Sequence, residues 1–111
     1  MPRKREYAVA FVTAPDLKTA RTLAKAALLP KLAACVNIIP RIESHYWWEG
    51  KLERGTELLL VMKTTQKKVA ALQQAILKAH PYDTAEFIVL GIDSGSKRYL
   101  RWIEASVRGS E

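Results

Sequence analysis

The sequence predicts a single mixed α+β domain, and three observations carry this prediction. Four segments have the unbroken or alternating apolar pattern of β-strands, and three others repeat apolar residues at the three- and four-residue spacing of helices. Strand and helix segments alternate along the chain instead of forming separate blocks. The 111 residues, of which 49% are hydrophobic, are enough for one core and too few for two. We therefore expect residues 1–111 to form one domain.

The first strand is expected over residues 7–13, where low polarity indicates a central place in the sheet. Asp16 follows as the predicted N-cap of the first helix, because its carboxylate can accept hydrogen bonds from free backbone N–H groups and suits the positive helix end. Pro30 is expected to end or kink this helix, since it lacks an N–H group and clashes with the preceding turn. The helix carries one apolar stripe, formed by Ala20, Leu23, Ala24, Ala27 and Leu28.

A very long hairpin is expected next. Residues 49–51 supply its turn, where Gly50 can take a positive φ, and residues 58–62 return as a buried strand. Because strands usually have about five or six residues, a chain of this size cannot cover the arm, and its aromatic tip predicts contact with another subunit. In the first of the two hairpin strands, one face is predicted to carry apolar side chains, which follow the two-residue period of a strand. They are Val36, Ile38, Ile42, Tyr46 and Trp48.

After the hairpin, the second half of the chain is predicted to form a helix, a strand and a final helix. Thr65 is the predicted cap of a second helix, Pro81 ends that helix, and residues 87–90 form a fourth strand. Residues 94–96 turn into a final short helix. The apolar faces of these two helices are Val69, Leu72, Ile76 and Ala79 in the first, and Leu100, Ile103 and Val107 in the second.

The element order β-α-β-β-α-β-α is that of a ferredoxin-like domain, an antiparallel sheet with two helices on one face, extended by a C-terminal helix. The other sheet face would be bare in a monomer. Residues 8–12 and 58–62 are nevertheless apolar on both faces. The sequence therefore predicts subunits that pack sheet against sheet.

Composition narrows the function classes. The net charge is +7, which can indicate an acidic partner, but the Lys and Arg residues are scattered and only residues 3–5 form a cluster, so nucleic acid is disfavoured. No apolar stretch approaches the roughly 20 residues that span a bilayer, and no secretory signal is recognisable. A single cysteine, Cys35, fits a reducing compartment and predicts a cytoplasmic protein.

Three function classes remain open: a binding or signalling module, a nucleic-acid binder and an enzyme. RNA-recognition modules of the ferredoxin-like fold use exposed aromatic residues on a central strand, and residues 58–62 have none. Acyl-phosphate hydrolysis on this fold needs an anion-binding loop beside the first strand, whereas residues 13–16 are acidic and lack glycine. No catalytic triad, Gly-rich or paired-Cys motif is present, so an enzyme is not expected.

The chain resembles the CutA family of divalent-cation-tolerance proteins in six ordered blocks. The blocks are residues 13–16 (TAPD), 31–40 (KLAACVNIIP), 46–53 (YWWEGKLE), 62–65 (MKTT), 80–83 (HPYD) and 99–103 (YLRWI). The resemblance implies a ferredoxin-like subunit in a tight homotrimer, similar in build to PII-type nitrogen-signalling proteins. It also implies a role in copper and divalent-cation tolerance without an enzymatic reaction. A small-ligand-binding or protein-anchoring scaffold is the alternative.

The resemblance suggests two metal-ligand candidates. Some bacterial relatives have a Cys in the first strand and a His-His pair before Pro-Tyr. Here Val12 and Ala79 occupy two of those places, which leaves His80 as the first candidate for copper or another divalent cation. Cys35, where the family commonly has Cys, is the second candidate. Neither metal nor cofactor is expected to be required.

Each candidate also has a structural interpretation. Cys35 can simply pack in a strand, because free Cys is among the most buried residue types. His80 can be a cation at the negative end of the second helix. Metal sites normally need three or four ligands, and a trimer would supply three copies of each candidate.

Two further groups are ambiguous in the sequence. A cluster of carboxylates with Lys, His and Tyr could be catalytic or an ion-pair network between subunits, and the resemblance places it towards the subunit cleft. Its members are Glu57, Lys63, His80, Tyr82, Asp83 and Glu86. The aromatic side chains could stack a ligand or form an intersubunit core. They are Tyr46, Trp47, Trp48 and Trp102.

Overall fold

A computed structural model describes residues 5–109 of the chain. Its elements, in order, are β1 (Tyr7–Ala14), α1 (Leu17–Leu28), β2 (Cys35–Trp48), β3 (Lys51–Thr65), α2 (Val69–Ala79), β4 (Ile88–Gly91) and α3 (Lys97–Ser106), with a 3₁₀ turn at Gln66–Lys68 before α2. The four strands form one antiparallel sheet in the order β2-β3-β1-β4. The predicted mixed α+β class and the central place of the first strand are confirmed.

The core lies between one face of the sheet and helices α1 and α2. In β1, alternate residues from Ala8 to Ala14 have no exposed surface, and they pair with the buried side chains of β3. We call this the core face. Burial of these apolar side chains is the main stabilising contribution to such a domain. The largest members of the core are Val12, Leu23, Leu60, Met62, Leu72 and Ile76.

A β-bulge corrects the predicted apolar face of the hairpin. Ile38 pairs with Leu60 of the core face, but beyond the irregularity Ile42 pairs with Glu57. Four steps along β2 therefore match three steps along β3, so β2 contains one extra residue, and Arg41 there has a φ of 61°. A one-residue insertion exchanges the two faces of a strand. Val36 and Ile38, before the bulge, face the core, whereas Ile42, Tyr46 and Trp48 lie on the opposite face.

The long hairpin itself is confirmed. β1 accompanies β3 only as far as the pair Ala14–Leu58, and beyond it residues 42–57 continue as a two-stranded arm. The arm closes in a two-residue turn with positive φ at Glu49 (50°) and Gly50 (79°), as a right-twisted hairpin requires. Lys51 already belongs to β3 and not to the turn. Such a ribbon is marginally stable alone, and its tip exposes Trp47 (73%), Leu52 (64%) and Trp48 (52%).

Contrary to the prediction for a monomer, the second face of the sheet is not bare, because helix α3 packs against part of it. The hydroxyl of Tyr7 donates to Oε1 of Glu104 at 3.2 Å, and Nζ of Lys63 lies 5.8 Å from the ring centre of Tyr99. Tyr7 and Lys63 alternate with the core residues and therefore project from the second face of the sheet. α3 covers one end of this second face, where Ile103 is fully buried as predicted.

The rest of the second face is apolar and only partly covered within the chain. Phe11 of β1 is half-buried and pairs with Ile88, and Val9 pairs with Leu90. Ile88 and Leu90 are each about half exposed, and Ile39 at the edge of the face is 44% exposed. Contiguous apolar surface of this kind is typical of an interface.

One predicted helix cap is confirmed and one is wrong. Oδ1 of Asp16 accepts a hydrogen bond from the backbone N–H of Thr19 at 2.7 Å. That bond favours the charged carboxylate and lowers the pKa of Asp16. Thr65 precedes the 3₁₀ turn, but its side chain makes no capping hydrogen bond, and α2 itself begins after Lys68. Within residues 5–109, no helix has the length and apolar character needed to cross a membrane.

Candidate functional site

The candidate site lies at the base of the arm, where three elements end or separate. β1 ends at Ala14, α2 ends at Ala79, and β3 is paired with β1 only up to Leu58, so Glu57 is the first residue of β3 in the arm. Four side chains gather there: Glu57, His80, Tyr82 and Glu86. We call them the arm-base cluster.

His80 ties the end of α2 to the end of β1. The residue is 8% exposed and has an extended backbone (φ −79°, ψ 137°) just after the helix. Its Nε2 lies 2.7 Å from the carbonyl oxygen of Thr13, and its Nδ1 lies 3.1 Å from the backbone nitrogen of Tyr82. A carbonyl oxygen can only accept and an amide N–H can only donate, so these contacts fit the tautomer with its hydrogen on Nε2. His80 is the C-cap residue of α2, and the positive charge expected at this helix end stays a prediction.

We expect His80→Ala to lower the free energy of unfolding by about 1–3 kcal/mol, because it leaves a buried carbonyl and an amide without partners. Urea unfolding of the purified protein measures this loss. His45→Ala is the matched control. His45 is exposed on the arm and bonds only to the nearby Glu43 (2.7 Å), so its loss should stay within about 0.5 kcal/mol. Equal losses in the two variants would contradict the bridging role of His80.

Tyr82 connects His80 to the carboxylates. Its ring centre lies 4.8 Å from that of His80, and its hydroxyl donates to Oε2 of Glu57 at 3.3 Å. Burial raises the pKa of the Tyr82 phenol, and the negative charge of Glu57 adds to this effect. The phenol therefore stays protonated and acts as a hydrogen-bond donor.

Glu86 is the second carboxylate of the cluster. Burial raises the pKa of Glu86 above its usual value of 4.5, and the charge of Glu57 raises it further. An acid with a higher pKa in the folded state binds protons more tightly when folded. Its contribution therefore favours folding below the unfolded-state pKa and is lost as the pH rises through the folded-state pKa.

We expect Glu86→Gln to gain more stability relative to the parent protein at pH 7 than at pH 4, because glutamine removes the penalty of holding a charge in this place. Urea unfolding at the two pH values measures the difference. Glu53→Gln, at an exposed carboxylate of the arm, is the matched control and should show a smaller change with pH. A Glu86→Gln gain that is the same at both pH values would contradict the assignment.

Two residues of the predicted cluster lie elsewhere. Lys63 pairs with Val9 and lies six residues along β3 from Glu57, which is about 20 Å. Its Nζ is over the ring of Tyr99 on α3. Asp83 is exposed on the loop after α2. The predicted carboxylate-Lys-His-Tyr constellation is therefore reduced to two carboxylates, a histidine and a tyrosine.

The two metal-ligand candidates do not meet within one chain. Cys35 is half-buried on the edge strand β2, with Sγ 3.7 Å from Oδ1 of Asn37. Across the sheet it is level with Val9, two strands away, whereas His80 contacts Thr13. Four strand residues separate those levels by about 13 Å. Among residues 5–109, no three His, Cys, Asp or Glu side chains are placed to hold a metal ion together.

Tyr46 is a neighbour of the cluster that the sequence did not place there. Its hydroxyl lies over Gly55, 3.5 Å from where a Cβ would stand, and Tyr46 is one of the neighbours that raise the pKa of Tyr82, after burial and Glu57. A glycine inside a strand often marks a close approach of another group, so Gly55 was the available signal. The sequence alone gives no way to know which side chain fills that space.

Comparisons with known proteins match nearly the whole chain to CutA proteins. A family model described as CutA1 divalent ion tolerance protein matches residues 8–106. The Citrobacter koseri divalent-cation tolerance protein CutA is 44% identical over 93% of this chain and 90% of its own length. The Xenopus laevis protein CutA homolog is 47% identical over 85% of this chain. The chain spans only 62% of that relative's length.

Solved structures of CutA proteins also match this chain over most of its length. The crystal structure of CutA1 from Oryza sativa has a TM-score of 0.90 and 42% identity, and the match covers 96% of this chain and 97% of that one. The periplasmic divalent cation tolerance protein CutA from Archaeoglobus fulgidus has a TM-score of 0.89 and 40% identity, over 92% and 99% of the two chains.

Proposed function

Because this chain belongs to the CutA1 divalent ion tolerance family, we propose that it acts in divalent-cation tolerance, as a binding protein and not as an enzyme. The observation that carries the proposal is the match over residues 8–106, together with bacterial relatives that bear this function in their names. The family is not a known enzyme family. The arm-base cluster fits this proposal, since its histidine and tyrosine are engaged in hydrogen bonds that join elements of the fold.

We further propose that the chain is one ferredoxin-like domain that assembles as a homotrimer. Two features support this. The arm extends past the sheet and exposes two tryptophans at its tip, and the second face of the sheet exposes Ile88 and Leu90. Both surfaces would be buried if the subunits packed with their second sheet faces together and each arm lay against a neighbouring subunit.

The described residues of a single chain do not provide enough donor atoms, close enough together, to bind a divalent cation such as copper. Metal sites of this type take three or four ligands, and no such group is present in the part of the chain that the structure describes. A site would therefore combine donors from several subunits. We propose His80 as the first ligand candidate and Cys35 as the second. Nδ1 of His80 holds a lone pair, but it would have to give up its bond from the amide of Tyr82.

Native mass spectrometry with and without Cu²⁺ tests these proposals. We expect a trimer that takes up one copper ion for each subunit, and we expect His80→Ala to lose that uptake and Cys35→Ser to weaken it. His45→Ala controls for adventitious binding to the other histidine. A trimer without specific uptake in the parent protein would contradict the metal role and favour the small-ligand scaffold. A monomer would contradict the assembly.

A growth assay tests the cellular role. Expression of the chain in a bacterium that lacks its own CutA protein should restore tolerance to copper salts, and an unchanged sensitivity would contradict the proposed function. The cytoplasmic location stays a prediction, since the relatives include a chloroplastic protein of Oryza sativa and a periplasmic protein of Archaeoglobus fulgidus.

A further inference from the structure

A cavity of about 570 Å³ opens at the end of the molecule opposite to the arm. It lies between the start of β1, the 3₁₀ turn before α2 and the end of α3. Tyr7 and Thr65 form a pair at this end of the sheet, whereas Ala14 and Leu58 form the pair next to the arm. Seven residues of strand, about 23 Å, separate the two ends. The cavity is therefore distinct from the arm-base cluster, and it has the size of a small-molecule site.

The floor of the cavity is buried and carries apolar surface from Val107 and Tyr7. Val107 is 2% exposed and Thr65 is 9% exposed. The half-buried ring of Tyr7 is fixed by the bond from its hydroxyl to Glu104. A floor of this kind suits the apolar or aromatic body of a ligand.

The rim of the cavity is positively charged. Lys67, Lys68 and Arg108 line it, and none of them pairs with an acidic side chain within residues 5–109. Arg5 also lines it but donates to Oδ1 of Asp93 at 2.6 Å. Unpaired cations around a low-dielectric floor attract and concentrate anions.

The acidic groups of the lining offset only part of this charge. Four basic residues line the cavity, against the two carboxylates of Glu6 and Glu104, so the lining stays positively charged. The hydroxyl of Thr65 lines the same cavity and makes no capping bond to the helix that follows. It is therefore available as a donor to an anion. Within residues 5–109, three cations without an acidic partner and a hydroxyl without a capping bond suit a dianionic group such as a phosphate monoester.

We propose that this basic cavity binds a small organic phosphate with an apolar or aromatic body. The apolar part lies on Tyr7 and Val107, and the phosphate meets Lys67, Lys68 and Arg108. The site uses residues of one chain and does not depend on metal binding at the arm base, so the two proposals can fail separately.

Isothermal titration calorimetry with 1-naphthyl phosphate tests the proposal, and uncharged 1-naphthol is the comparison ligand. We expect the phosphate to bind once per chain and at least about tenfold more tightly than the alcohol, since the charge supplies much of the affinity. Equal affinities for the two ligands, or no heat at millimolar phosphate, would overturn the proposal.

Matched charge reversals locate the site. Lys68→Glu should weaken 1-naphthyl phosphate binding by about tenfold or more, whereas Lys78→Glu, at the other end of α2, should leave it within about twofold. The two variants change the net charge equally. A glutamate at the start of a helix is favourable, so Lys68→Glu should fold, and its melting temperature verifies this. Equal losses in the two variants, or no loss in Lys68→Glu, would show that the phosphate does not bind in the cavity.

Discussion

Trp48→Ala is expected to shift the protein from the proposed trimer towards monomer and to lower its melting temperature by roughly 10 °C. Trp48 lies near the tip of the arm on the same face as Tyr46, and 52% of it is exposed in the isolated chain. A tryptophan that fills an interface typically contributes about 2 kcal/mol or more. In a trimer the loss occurs three times. Size-exclusion chromatography with light scattering measures the mass, and thermal unfolding measures the stability.

His45→Ala is the control on the same strand, because His45 is exposed and interacts with Glu43 of its own chain. The control should remain trimeric with a nearly unchanged melting temperature. If Trp48→Ala stays trimeric and melts at the parent temperature, the arm does not hold the subunits together.

Leu90→Lys is expected to abolish assembly, because it places a charge in the middle of the proposed contact between sheets. Leu90 pairs with Val9 on the second face of the sheet and is 51% exposed. In a trimer whose subunits pack through this face, the lysine would be buried without a partner, and an unpaired buried charge is strongly destabilising. The variant should be monomeric by light scattering and keep the circular dichroism spectrum of a folded domain.

Leu29→Lys makes the same substitution at a more exposed position. Leu29 is 78% exposed just after α1, on the other side of the sheet, where a cation suits the helix end. This control should assemble like the parent protein. A trimeric Leu90→Lys variant would mean that the subunits do not meet through the second face.

Much of the fold was predictable because its signals are local. The apolar stripe of α1 and the cap at Asp16 identify the helix and its first residue. The low polarity of residues 7–13 correctly placed β1 in the centre of the sheet. Gly50 marked the hairpin turn, since positive φ favours glycine. Each of these signals depends on a few neighbouring residues.

The candidate site was predictable only in part. The family resemblance grouped Glu57 with Tyr82 and Glu86, as the structure does, but it also added Lys63, which lies near Tyr99. The sequence placed His80 at a helix end but did not reveal its partners, which are the carbonyl of Thr13 and the amide of Tyr82. Those partners depend on how α2 docks against β1, which spacing along the chain does not encode.

The sequence by itself determined the types of the elements, their order and the family, because periodicity, caps and motifs are properties of neighbouring residues. The tertiary structure decided which side chains meet. A single extra residue near Arg41 exchanged the faces of the arm, α3 covered one end of the second face, and Thr65 lined a basic cavity instead of capping a helix. The physical reason is that register and docking depend on residues far apart in the chain, and one inserted residue reverses every side chain beyond it.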